Sequence, residues 1–66
     1  MNVGKSIKVA LAMRDMKQKD LAEVMGVKPA SVSQLASQTS CTGETLGKLA
    51  AAFGMAASEF IKLGED

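Results

Sequence analysis

The chain has 66 residues, of which 47% are hydrophobic and 23% are charged, and its formal net charge is +1. This length suits one domain with a small hydrophobic core, so we expect a single domain over residues 1–66. The hydrophobic fraction excludes a disordered tail, which would hold too few apolar residues to form a core.

Residue types that most catalytic and metal sites require are scarce. The sequence has no histidine, tryptophan or tyrosine and only one cysteine. It contains neither a phosphate-binding glycine loop nor a spacing typical of metal ligands. We therefore expect no enzyme activity, no metal, no cofactor and no small-molecule ligand. Cys41 is interpreted as a small loop residue, because a redox switch would need cationic neighbours or a second cysteine.

The apolar segments are too short to cross a bilayer, which takes about 18–20 consecutive apolar residues. Lys8 and Arg14 interrupt the N-terminal apolar segment, which therefore does not fit a signal peptide. A lone cysteine cannot form an internal disulfide and fits a reducing compartment. We therefore expect a cytoplasmic protein with no membrane partner.

Charge is distributed unevenly along the chain. Residues 1–28 hold six basic and three acidic residues, a balance of +3, whereas residues 29–66 hold two basic and four acidic residues, a balance of −2. A basic N-terminal half suits a surface that faces phosphates. The alternative is an ordinary solvated helix face, and charge alone does not decide between the two.

The N-terminal part of the chain predicts two helices. The first covers Gly4 to about Asp15, and the second covers Gln18–Met25 and ends at Gly26, where a left-handed backbone is common. Val27 is expected to be an apolar anchor in the turn that follows. The inward residues of the first helix are Ile7, Ala10, Leu11 and either Met13 or Met16; those of the second are Leu21, Ala22, Val24 and Met25.

Three further helices are expected. The third runs from Pro29, which suits the first position of a helix, to about Ser37, with Val32 and Leu35 facing inward. Thr42 caps the fourth helix, which runs to about Phe53, and the fifth lies near Ala57 to Leu63. The outward face of the third helix is short and uncharged: Ala30, Ser31, Ser33, Gln34 and Ser37. The fourth helix is expected to bury Leu46, Leu49, Ala50 and Phe53.

The segment from Gln18 to Ala36 resembles the helix-turn-helix of the phage Cro/repressor (Cro/C1-type) family of DNA-binding domains. The resemblance rests on Gln18, Leu21–Ala22, Gly26–Val27, Val32 and Leu35, and on the sequence LGKLAAAFGM from Leu46 to Met55. It covers about Ile7 to Leu63. It implies an all-α, compact five-helix domain of the lambda-repressor type, with the helix-turn-helix motif at residues 18–37.

The resemblance also implies a function and the residues that perform it. The expected function is sequence-specific binding of double-stranded DNA by a transcriptional regulator, of the repressor kind, that reads the major groove with the helix at 29–37. The implied base contacts are Pro29, Ala30, Ser33 and Gln34. The implied phosphate contacts are Lys17, Gln18, Lys19, Lys28, Ser31, Ser37, Gln38 and Thr39.

The sequence departs from the family pattern at several positions. Lys17 and Lys28 occupy helix-cap positions where relatives usually have Ser, Thr or Asn, and a lysine cannot accept the free N–H groups. Relatives often pair an arginine at the position of Leu11 with a glutamate at that of Ala36; here both are replaced together, which avoids an unmatched charge. The loop from Ser37 to Thr42 lacks the basic residues common in relatives.

Members of this family usually bind palindromic operators as homodimers, so a homodimer on DNA is expected here as well. Phe60, Ile61 and Leu63 are the candidate dimer residues, although each could instead belong to the core, an alternative that is stronger for Phe60. A different class of function also remains open. A fold of this kind can serve as a protein-interaction module, such as an antitoxin or an anti-repressor partner, which the low net charge would suit.

Overall fold

Five α-helices are found in the computed structural model, which describes residues 2–65, and this part of the chain contains no strand. The helices are α1 (Val3–Met13), α2 (Gln18–Met25), α3 (Pro29–Ala36), α4 (Gly43–Ala52) and α5 (Ala57–Leu63). The expected all-α, five-helix fold is therefore confirmed. Within residues 2–65, no helix has the length and apolar character needed to span a membrane.

The bounds of α1 differ from the prediction for local reasons. The helix begins at Val3 because the side chain of Asn2 accepts a hydrogen bond from the Lys5 N–H at 3.0 Å, which makes Asn2 its cap. It ends before Asp15, whose φ of 53° is left-handed. Aspartate is one of the few residues with a side chain that tolerates this conformation, so it can end a helix without a glycine.

The core is one cluster of buried side chains to which all five helices contribute. The rings of Phe53 and Phe60 stack at its α4–α5 end, with centroids 5.8 Å apart and planes 16° from parallel. Leu11 and Ala36 both belong to this cluster, so the expected apolar replacement of a charged pair lies in the core. The cluster comprises Val3, Ile7, Ala10, Leu11, Leu21, Ala22, Val32, Ala36, Leu49, Ala50, Phe53 and Phe60.

Three apolar residues that were expected to face inward are exposed. Val24 is 60% exposed, Met13 58% and Val27 41%. Successive helical residues are about 100° apart, so Val24 lies about 60° from Leu21, on the side away from Ala22 and Met25, at the edge of the buried face of α2. Val27 contributes to the turn through its backbone instead. Met16, the alternative to Met13, packs against the core from the turn after α1.

The turn between α2 and α3 depends on the backbone conformation of Gly26. Its φ is 69°, in the left-handed region, and its N–H donates to the Glu23 carbonyl at 3.2 Å. The Val27 N–H donates to the Ala22 carbonyl at 3.0 Å, which completes the helix end. A Cβ on Gly26 would meet no atom within 4 Å, so the need for glycine here is conformational and not steric.

Arg14 joins the turn after α1 to the end of α4. Its Nε donates to the carbonyl oxygen of Phe53 at 3.1 Å, and Phe53 is the C-terminal cap residue of α4. A cation at the negative end of a helix dipole is stabilising, and the carbonyl would otherwise lack a helical partner. The sequence predicted no contact for Arg14, whereas the structure gives it a bracing role.

We expect Arg14→Ala to lower the free energy of unfolding by about 1–2 kcal/mol, because the Phe53 carbonyl loses a charged donor. Urea denaturation measures this change. Lys8→Ala is the matched control, since Lys8 is exposed on α1, the helix before Arg14, and its removal changes the net charge equally. Equal losses for the two variants would contradict the bracing role.

Candidate nucleic-acid interface

The outward face of α3 carries the residues predicted to contact bases. Ala30, Ser33 and Gln34 are exposed, while Val32 and Ala36 on the opposite face are buried. Pro29 is exposed at the first position of the helix. The side chains on this face are short except for that of Gln34. The face can therefore approach another surface closely, with one long amide side chain projecting from it.

The N-terminus of α3 carries a positive charge and no side-chain cap. Lys28 occupies the cap position with an extended backbone (φ −75°, ψ 147°) and its side chain makes no capping hydrogen bond. The Ser31 N–H donates instead to the Lys28 carbonyl at 2.9 Å, and the Ser31 side chain is exposed. With lysine at this position, α3 therefore lacks the stabilisation that a Ser or Asn cap would give.

The N-terminus of α2 also has a lysine at the cap position, but here another side chain partly compensates for it. The side chain of Lys17 does not cap the helix, but the carboxylate of Asp20 accepts the Lys17 N–H at 2.9 Å. This carboxylate also places a negative charge in the first turn, where the helix dipole favours it. Gln18 is half-buried and Lys19 is exposed on the same turn.

The lysines around the motif are available to an external anion. Among the residues that the structure describes, Lys17, Lys19 and Lys28 have no carboxylate within ion-pairing distance. Lys48 differs, because its Nζ lies 3.4 Å from Glu44 Oε1 one turn earlier on α4. Both partners in that pair are well exposed, so it is weak, but it offsets the charge locally.

The segment that follows α3, residues 37–39, is held by its backbone and leaves its side chains exposed. The carbonyl of Gln38 accepts the Gly4 N–H at 2.7 Å, and that of Thr39 accepts the Val3 N–H at 3.1 Å. The Ser37 hydroxyl donates to the Gln34 carbonyl at 2.8 Å, which leaves its oxygen free to accept. The neutral side chains predicted to contact phosphates thus stand on an ordered backbone.

The candidate dimer residues on α5 differ in burial. Phe60 is fully buried and stacks on Phe53, so it belongs to the core and cannot form part of an exposed dimer surface. Leu63 is partly buried and packs against the core. Ile61 is half-buried and lies outside the core cluster, which makes it the most available of the three.

Cys41 lies in the loop before α4 and packs partly against the core. Burial raises the pKa of the Cys41 thiol. A raised pKa keeps the thiol protonated near neutral pH and lowers its reactivity, because the thiolate is the nucleophile. These features support a packing role for this residue.

Sequence reasoning missed the structural roles of three residues: Asn2 caps α1, Gly4 lies against the segment after α3, and Arg14 binds the end of α4. The Asn2 cap could have been found, because an asparagine directly before an apolar helix is a common start signal. The contacts of Gly4 and Arg14 join segments distant in sequence, and no local pattern predicts them.

A family model described as a Cro/C1-type HTH DNA-binding domain matches residues 6–66. Comparisons with curated proteins and with solved structures gave no significant match. The matched region includes α2, the turn, α3 and the 37–39 segment.

We expect Lys28→Ser to raise the free energy of unfolding by about 1 kcal/mol, because a serine oxygen can accept the free N–H groups at the start of α3. Thermal or urea unfolding measures the gain. Lys28→Ala is the matched control, since it removes the same charge without adding an acceptor. If the alanine variant gained as much, the effect would come from charge removal and not from capping.

Proposed function

Because the chain belongs to the Cro/C1-type helix-turn-helix family of DNA-binding domains, we propose that it is a transcriptional repressor that reads duplex DNA through the major groove with α3. The observation that carries this proposal is the outward face of α3. It is exposed, short and uncharged, and it bears one long amide. The lysines that flank it have no ion-pair partner within residues 2–65. A solvent-facing helix of a small protein usually carries more charge than this one.

The chemistry of the α3 face suits base edges. The amide of Gln34 offers a donor and an acceptor together, which matches N6 and N7 of adenine. Ala30, one turn earlier on the same face, offers a methyl group that can contact the methyl of thymine. Ser33 can donate or accept, and Pro29 adds apolar contact at the start of the helix.

The remaining predicted contacts surround this face and are suited to the DNA backbone. Lys17, Lys19 and Lys28 supply charge at or next to the N-termini of α2 and α3, where they can neutralise phosphates. Gln18, Ser31, Ser37, Gln38 and Thr39 supply neutral hydrogen-bonding groups. Such contacts set the register and orientation of the protein on the duplex, while the α3 face supplies the sequence preference.

A domain of this size can read only a few base pairs, so we further propose that two copies bind a palindromic operator. Half-sites would lie about one helical turn apart. Ile61 is the residue on α5 most available to the second copy, while Leu63, two residues later, is half-buried and packs against the core.

A second candidate function, protein binding, is favoured by a different part of the surface. An open groove of about 390 Å³ lies between α2 and α4 and is lined by Val24, Met25, Lys48, Ala51 and Ala52. Exposed Val24 gives it an apolar wall. An interaction module that used this groove would show little salt-dependent retention on heparin or random DNA, whereas a DNA-binding domain would be retained.

We expect Gln34→Ala to relax the preference at one position of each half-site and to weaken binding to the best site by about 1–3 kcal/mol, because one bidentate base contact is lost. Selection of sites from random duplexes, followed by titration, measures both effects. Non-specific binding and folding should remain nearly unchanged. An unaltered preference at every position would place the specificity elsewhere, at Ser33, the 37–39 segment or DNA shape.

Lys17→Ala and Lys28→Ala are the matched comparison for that experiment. Each should weaken binding to all sequences about equally and lower the slope of log K against log salt by ~1 per protomer. Lys8→Ala controls for net charge, since Lys8 is exposed on α1 and lies outside the predicted contacts. An unchanged affinity of the Lys28 variant would contradict a phosphate contact there.

We expect two protomers on each palindromic duplex at micromolar concentration, as measured by sedimentation. Ile61→Lys should reduce the complex to one protomer per duplex, because a charge would enter the apolar contact. Met13→Lys is the matched control, since Met13 is an exposed apolar residue at the C-terminal end of α1. Strict one-protein-per-duplex binding by the unaltered chain would contradict the dimer.

A further inference from the structure

The first turn of α1 is packed between two other segments of backbone. On one side, the N–H groups of Val3 and Gly4 donate to the carbonyls of Thr39 and Gln38 at 3.1 and 2.7 Å. These two N–H groups belong to the helix start, where no intrahelical acceptor exists for them. They therefore bind the segment that follows α3 at no cost to the hydrogen bonding of α1 itself.

Gly4 permits the close approach on that side. A Cβ at this position would collide with the carbonyl oxygen of Ala36 and would lie 2.8 Å from that of Gln38. Both are backbone atoms, which cannot move aside as a flexible side chain can. Gly4 is itself a buried residue of α1. The requirement for glycine is steric here, in contrast to the conformational requirement at Gly26.

The opposite side of the same turn is equally confined. A Cβ on Gly64, directly after α5, would collide with the carbonyl oxygen of Asn2 and would lie at 2.5 Å from Ser6 Oγ. The first turn of α1 therefore cannot retreat from the 37–39 segment, because the end of α5 supports it from behind. This arrangement fixes the peptide groups of Gln38 and Thr39 relative to the rest of the fold.

We propose that Gly4 is a positioning residue for DNA binding: it lets the first turn of α1 hold the 37–39 segment, so that the backbone that carries the side chains of Gln38 and Thr39 is ordered before they meet a phosphate. This inference rests on the proposed DNA-binding function. A polar segment that is already ordered loses less conformational freedom on binding than one that must be ordered by the ligand. Gly4 itself does not contact the DNA.

A double-mutant cycle between Gly4→Ala and Gln38→Ala tests the proposal. In the unaltered chain, Gln38→Ala should weaken binding to all duplexes by about threefold to tenfold, the effect of one neutral hydrogen bond. In the Gly4→Ala chain, the segment is displaced, so the further loss on Gln38→Ala should fall below about twofold. A role of Gly4 in stability alone would leave the effect of Gln38→Ala unchanged.

Gly47→Ala supplies both a control and a stabilised background. Gly47 is exposed on α4 and a Cβ there would meet nothing within 4 Å, so alanine should fit and favour the helix. The Gln38→Ala effect should persist in the Gly47→Ala chain. The Gly4→Ala cycle is run in this background, with circular dichroism to verify that each variant is folded.

A second measurement does not depend on the folding of the Gly4 variant. Amide hydrogen exchange at Val3 and Gly4 in the unaltered chain should already be slow without DNA, because both N–H groups are held by the carbonyls of the 37–39 segment. Fast exchange of both amides in the DNA-free chain, or a full Gln38→Ala effect in the Gly4→Ala chain, overturns the positioning role. If Gln38→Ala has no effect while Lys28→Ala does, this inference fails and the proposed function stands. If the unaltered chain shows no salt-dependent DNA binding, both fail.

Discussion

The left-handed backbone of Gly26 is the constraint on which the rest of the structure depends. It ends α2, turns the chain, and lets Pro29 begin α3 three residues later. The two helices then pack against each other, and Ala22 of α2 and Val32 of α3 are both buried in the core. Because this side of α3 is buried, its other side, with Ala30, Ser33 and Gln34, must face outward.

The candidate interface depends on where its positive charges lie rather than on how many there are. The net charge is only +1, yet lysines stand at the N-cap of α2 and of α3, where a better cap residue would stabilise the helix more. Asp20 offsets part of this cost at α2, but no side chain does so at Lys28. Lysine thus lowers the local stability at the starts of α2 and α3. This loss fits a binding surface, in which the lysine charges would contact a ligand rather than stabilise the helices.

Much of this fold could be predicted from sequence, because the helix starts and ends are local signals. The bounds of α2 and α5 follow from apolar spacing and from the glycine after α2. The exposure of Val24 could not be predicted, because the width of the buried face depends on which helices pack against it. Arg14 and Gly4 were missed for a related reason: their partners, Phe53 and Gln38, lie more than thirty residues away. The predicted contacts on α3 stay predictions, although the structure exposes their side chains.

The central claim is that α3 and its flanks are the surface that meets duplex DNA. A titration of isotope-labelled protein with a duplex, followed by amide chemical shifts, tests it most directly. The account predicts large changes at the starts of α2 and α3, along α3 and at residues 37–39, with little change at Val24 and Ala51 in the α2–α4 groove. Changes confined to that groove, or none at all at low salt, would contradict it.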